Sequence, residues 1–283
     1  MLGYYSSVLP FNHSVDELIK VMKPWYDNYC FAEEEYGKTT MYNSVMVLNF
    51  LDKYIRNNYD IPKNMVESNV RIDYDKVHTL IRHDKEFAHD ASIIQQLVTQ
   101  GFVTGKLVEN FPAERINDPD NFLSLLYYFG MVTIDGDYKG VTKFIIPNEA
   151  VRDQMYTYLL DTYKENDLTY DSFNKGKLES QLAYDGNYKA YFEFIADSLK
   201  RYSSQRDKQK GEAFVHGFTL AMTSQNQFYR PISELDNDGG YADIFLSPLC
   251  DIVKESVKTT KLHKLVVIYR GAEMVMCEEV TEE

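Results

Sequence analysis

A change of period in the apolar residues constrains this chain more than any other feature. Phe122, Leu123, Leu125, Leu126 and Tyr127 recur at helical spacing behind a cap offered by Asp120-Asn121. Directly afterwards, residues 131–134 and 142–146 are short β-type runs on either side of Asp135-Gly136-Asp137, which reads as a hairpin turn. Pro147 then opens another helical stretch through Val151, Met155, Tyr158 and Leu159. Side chains repeat near every 3.6 residues in a helix and every two in a strand, so one stretch cannot serve as both. The chain must mix helix and sheet.

Helix, hairpin, helix in that order outlines a winged-helix unit. Ahead of it, Ser14 and Glu17 have capping-box spacing, and Val15, Leu18, Ile19 and Met22 keep a helical period until Pro24, where the helix is expected to stop. A turn is expected around Tyr36-Gly37, then an amphipathic helix through Val45, Val47, Leu48, Leu51 and Ile55. Helical stretches continue to the charged run 201–210, a solvated helix end or linker and the expected last domain boundary. Beyond it come a helix through Phe214, Phe218 and Leu220, strands at 228–232 and 242–246 around a turn at 236–240, and a final pair. The first of that pair is Leu265-Val266-Val267-Ile268-Tyr269, turned at Gly271-Ala272 into 274–280.

Composition narrows the function classes. With 44% hydrophobic residues in 283, the chain can build two or three cores. Cys30, Cys250 and Cys277 are odd in number and form no CxxC pair, which argues against a disulfide framework and a thiolate zinc site. Residues 1–11 carry no basic and apolar leader pattern and no run is long enough to span a bilayer, so the expectation is a cytoplasmic protein without a membrane partner. A net charge of −13 repels nucleic-acid phosphates unless a local basic face overcomes it.

Two stretches carry a family resemblance. Met22-Lys23-Pro24-Trp25-Tyr26-Asp27-Asn28-Tyr29, followed by Met41-Tyr42-Asn43-Ser44, resembles the end of the AAA-ATPase-like domain in a large family common in gut bacteria. Gly211-Glu212-Ala213-Phe214-Val215-His216-Gly217, with Gly240-Tyr241-Ala242-Asp243-Ile244, is similar to the opening of that family's PD-(D/E)XK nuclease-like domain. The resemblance implies three regions: an AAA-ATPase-like remnant at 1–63, a helical and winged-helix-like lid at 64–205, and an incomplete nuclease-like domain at 206–283. The fold class expected is α+β, with a trimmed α/β domain at the end. The middle region is expected to act as a lid or relay, and so to contact protein.

Parts of both activities are missing. A phosphate-binding loop needs G-x-x-x-x-G-K-[ST], and nothing matches; the resemblance implies that the chain starts beyond it. For the nuclease, the resemblance implies a helix glutamate and a strand aspartate on the metal, here Glu212 and Asp243, with a second acid two residues ahead of a lysine. Period two puts acid and lysine on one strand face, converging on one metal-bound water. That segment is expected to be deleted. The nearest substitute, Asp251 and Lys254, stands three apart, on opposite faces of a regular strand. If active, catalysis would fall to Glu212, Asp243, Asp251 and Lys254 with Mg²⁺; otherwise no cofactor is expected. The bland roles are a helix N-terminal charge for Glu212 and local pairing for Asp243.

Other constellations are weaker. His78, His83 and His89 with Glu86 lack metal-site spacing and read as a solvated face, while Glu212 and His216 stand one helical turn apart. The wing at 135–140 carries two acids against one lysine, and the helix before it has no basic residue. The leading expectation is a non-catalytic or vestigial family member acting through a protein partner or self-association. The alternatives are a divergent Mg²⁺-dependent DNA nuclease, and a nucleic-acid-binding module using Lys200, Arg201, Arg206, Lys208 and Lys210.

Overall fold

A computed structural model describes residues 2–62, 64–66, 90–116, 118–165, 167–204, 212–226, 228–237, 240–248 and 263–280. Helix and antiparallel sheet are both present, so the chain is α+β. It forms two compact units divided between Met155 and Tyr156.

The first unit opens with α1 (Leu2–Val8), α2 (Val15–Tyr26) and α3 (Ser44–Arg56). The expected capping box starts α2: Glu17 N–H donates to Ser14 Oγ at 3.3 Å, and Ser14 N–H donates to Glu17 Oε2 at 2.8 Å. Pro24 does not end the helix as expected. It sits in the last turn, where only its own missing N–H is lost, and Asp27 N–H still reaches Lys23 O at 3.2 Å.

Leu18, Met22 and Tyr26 of α2 meet Met46, Val47, Phe50, Leu51 and Tyr54 of α3 in one core. The expected inner stripe of α3 was partly misplaced: Val45 and Leu48 are 58% and 49% exposed, and the larger Phe50 and Tyr54 face inward. Tyr54 is fully buried and stacks on Phe50 at a ring distance of 6.1 Å, while its hydroxyl accepts from the backbone N–H of Asn12 at 3.1 Å and His13 at 3.2 Å. One side chain thus fills the core and ties down the approach to α2.

Next come α4 (Asp90–Gln100), β1 (Phe102–Thr104), α5 (Pro119–Tyr128), β2 (Thr133–Tyr138) and β3 (Val141–Ile145). The strands form an antiparallel sheet in the order β1-β3-β2. The cap of α5 is Asp118, not Asp120-Asn121, because Pro119 needs no hydrogen-bond partner at the first helical position and leaves Asp118 to accept from Asp120 N–H at 3.3 Å. The hairpin turn also shifts. Asp135-Gly136-Asp137 lies within β2 at a register shift, and the chain reverses at Lys139-Gly140, both with positive φ, where Gly140 N–H donates to Asp137 Oδ1 at 2.9 Å. Helix α6 (Glu149–Glu165) follows, and the division between the units falls within it.

The second unit holds α7 (Ser172–Asp185), α8 (Tyr188–Ser204), α9 (Glu212–Ser224) and two hairpins, β4 (Tyr229–Asn237) with β5 (Gly240–Pro248), and β6 (Leu265–Arg270) with β7 (Glu273–Glu279). Gly186 ends α7 in the left-handed conformation at φ 67°. Tyr163, Tyr202, Phe214 and Phe218 cluster with ring distances of 5.3–6.2 Å. Helix α9 packs on β4 and helix α8 on β7, so each hairpin has one face covered by a helix. Among the described residues, no helix is long and apolar enough to cross a membrane.

Phe50→Ala is expected to cost about 3–5 kcal/mol, because a fully buried ring leaves a cavity its neighbours cannot close. Urea unfolding of both proteins measures it, and a loss under about 1 kcal/mol would contradict the stacked core.

Candidate functional site

The nuclease-like residues divide between described and undescribed segments. Glu212 is the first residue of α9 and is exposed, the position where a carboxylate complements the helix dipole. Asp243 lies on β5, also exposed. Helix α9 packs against β4, the strand paired with β5, so both acids belong to one helix-and-hairpin substructure. His216, one turn after Glu212, places Nε2 3.2 Å from Ser233 Oγ on β4. Asp251 and Lys254 lie outside the described residues, as do His78, His83, Glu86 and His89. Among the described residues, no group of three or more His, Cys, Asp and Glu is placed to hold a metal ion.

The helix and the lysines at the hairpin are engaged by neighbouring groups. Helix α5 buries Asn121, Phe122, Leu123, Ser124, Leu126 and Tyr127, which leaves it little free face. On the hairpin, Lys143 Nζ pairs with Asp135 and lies 5.2 Å from the Phe102 ring, and Lys139 Nζ lies 5.0 Å over the Tyr138 ring. A lysine held by a carboxylate or a ring has less to offer a phosphate. In the second unit Lys200 Nζ pairs with Glu273 Oε1 at 2.9 Å and Arg201 Nε donates to Asp197 O at 3.2 Å. Arg206, Lys208 and Lys210 lie outside the described residues.

A cavity of about 250 Å³ opens beside β2, lined among others by Asn28, Cys30, Lys38, Thr39 and Asp135. The triplet Gly37-Lys38-Thr39 within it has the last letters of a phosphate loop. Its setting differs. It follows the short 3-10 turn Glu33–Glu35 and leads to a bridge between Tyr29 and Met41, so no helix begins at the threonine to aim its N–H groups at an anion, and Lys38 Nζ lies 3.6 Å from Glu35 Oε1. Periodicity could not reveal this cavity, since its walls join the segments at 28–30 and 36–40 to residues of β2 and β3 far along the chain.

A buried ion pair lies in the second unit. Lys175 Nζ bonds Glu179 Oε1 one helical turn on in α7, with side chains only 7% and 6% exposed. Burial raises the Glu179 carboxyl above its ordinary value of 4.5, with Lys175 pulling the other way, and the negative charge on Glu179 adds to burial in raising the Tyr191 phenol. Cys277 is buried, and its thiol is pushed up by burial, so it is a poor nucleophile.

No protein-family model, curated protein or solved structure matches this chain.

Glu179 holds its proton more tightly folded than unfolded. Its stabilising contribution is therefore full below 4.5 and is lost as pH rises through the raised value. Glu179→Gln cannot ionise, so its urea midpoint should fall less than that of the wild type between a pH just below 4.5 and neutrality. Equal falls would refute the role given to this carboxyl. Lys175→Met leaves a buried carboxylate unpaired and should cost about 3–5 kcal/mol at neutral pH by the same measurement.

Proposed function

We propose that this protein works through protein contacts, as a non-catalytic relative of AAA-ATPase-like and PD-(D/E)XK nuclease-like fusion proteins. The observation that carries this reading is the final hairpin, which exposes Val266, Ile268, Val275, Met276 and Val280 at 39–49%. Contiguous exposed apolar side chains of that kind mark interaction surfaces.

Three further features support it. The strand order β1-β3-β2 beside α4 and α5 fits a winged-helix-like unit, and the burial of α5 suits a packing role better than groove reading. A helix carrying Glu212 followed by two antiparallel strands carrying Asp243 fits the opening of a nuclease-like domain. Two exposed carboxylates alone hold Mg²⁺ weakly and activate water poorly. A cytoplasmic location belongs to the same reading.

The second reading, a divergent Mg²⁺-dependent nuclease, draws on that same order of helix, strand and strand and needs Asp251 and Lys254 to complete the site. Calorimetric titration of Mg²⁺ and Mn²⁺, with plasmid nicking on the same preparation and an Asp243→Ala control, separates the two. Neither binding nor nicking is expected. Nicking that disappears with Asp243→Ala would overturn the non-catalytic reading.

A further inference from the structure

The strands of the second unit differ in how their edges are protected. β4 carries Pro231, Glu234 and Asp236, β5 carries Asp243 and Pro248, and β7 carries Glu273, Glu278 and Glu279. β6, Leu-Val-Val-Ile-Tyr-Arg, has neither an acid nor a proline. Charges and prolines are the usual means by which an edge strand is kept from pairing with another chain. Among the described residues β6 pairs with β7 alone. A two-stranded sheet is marginal in water, and a wider one with an apolar face is not.

The hydrogen-bond phase shows what the edge of β6 away from β7 offers. Val280 N–H donates to Lys264 O at 2.7 Å, just beyond the ladder in which Leu265 faces Glu279 and Val266 faces Glu278. Bonded and non-bonded pairs alternate in an antiparallel ladder, so Val266 and Ile268 turn their backbone groups to β7 while Leu265 and Val267 turn theirs outward. Side chains alternate as well: Val266 and Ile268 are exposed on one face, and Leu265, Val267 and Tyr269 are half-buried on the other.

We infer that β6 is the docking edge for a second copy of this chain, which pairs with it antiparallel about a two-fold axis at Val267. In this register Val267 faces Val267 of the second copy with both outward N–H groups satisfied, and Leu265 faces Tyr269. Val266 meets Ile268 on the exposed face, twice by symmetry. Only an even register keeps each side chain on its own face of the continuous sheet, and this one does.

Charge selects the same strand. Two chains of net charge −13 repel each other, and among the described strands of this unit β6 is the one that brings no carboxylate to the meeting. Lys264 and Arg270 come together at the ends, and the carboxylate of Glu273, across the ladder from Arg270, offsets that repulsion. The result is a four-stranded sheet, β7-β6-β6-β7, whose outer edges are the acidic strands. It is closed at two copies and cannot propagate.

This inference rests on the interaction reading and names its partner. Size-exclusion chromatography with light scattering on the full chain should give the mass of two chains. Val267→Pro removes the outward N–H and Ile268→Lys puts a charge on the apolar face; both should give the mass of one chain, with melting temperatures checked. Val45→Lys, an exposed position in the first unit, should remain a dimer. A wild type that is monomeric at every concentration, or an Ile268→Lys protein that folds and remains dimeric, would overturn the inference. The nicking assay reports separately on the interaction reading, so the two can fail independently.

Discussion

The first unit depends on how Cys30 and Thr133 share hydrogen bonds. Cys30 N–H donates to Thr133 Oγ1 at 2.7 Å, the same hydroxyl donates to Cys30 O at 3.0 Å, and Ile134 N–H adds a bond to Cys30 O at 3.3 Å. The partners are 103 residues apart in sequence and both are buried. A threonine hydroxyl, as donor and acceptor at once, can close both backbone groups of a segment too irregular to ladder as a strand. Without it the Cys30 N–H would be buried unpaired, at a cost of about 1–3 kcal/mol, and Cys30 O would keep only the bond from Ile134 N–H. Tyr127 reinforces the contact by donating its hydroxyl to Phe31 O at 2.7 Å. The hairpin sheet is thereby fastened to the residues that follow α2.

That fastening engages the elements on which a winged-helix unit would depend for groove reading. One side of β2 is engaged by the segment at 29–31, α5 is sunk in the core, and the lysines of the hairpin are held by Asp135 and by aromatic rings. The second unit spends its polar groups differently. It buries a Lys175–Glu179 pair in α7 and leaves its apolar surplus on the last hairpin, facing outward.

Much of the local structure was legible because its signals are local. The capping box at Ser14 and Glu17 depends on residues three apart, and the strand pair at 265–280 depends on apolar runs broken by Gly271-Ala272. Where reading failed, a competing local effect had won. Pro119 moved the cap of α5 to Asp118, and the positive φ of Lys139 and Gly140 moved the hairpin turn away from Asp135-Gly136-Asp137. In α3 the apolar pattern was nearly continuous, so periodicity alone could not tell that Val45 and Leu48 face out while Phe50 and Tyr54 face in.

By itself, the sequence determined that helices and antiparallel hairpins alternate, that the last strands are apolar, and where Glu212 and Asp243 fall on their elements. These follow from periodicity and turn chemistry over a few residues. Tertiary structure alone decided that Thr133 clasps Cys30, that Lys175 and Glu179 are buried together, and that β6, among the described residues, pairs with β7 alone. Each joins segments distant in the chain or depends on what covers a face, and no local pattern encodes which surfaces will meet.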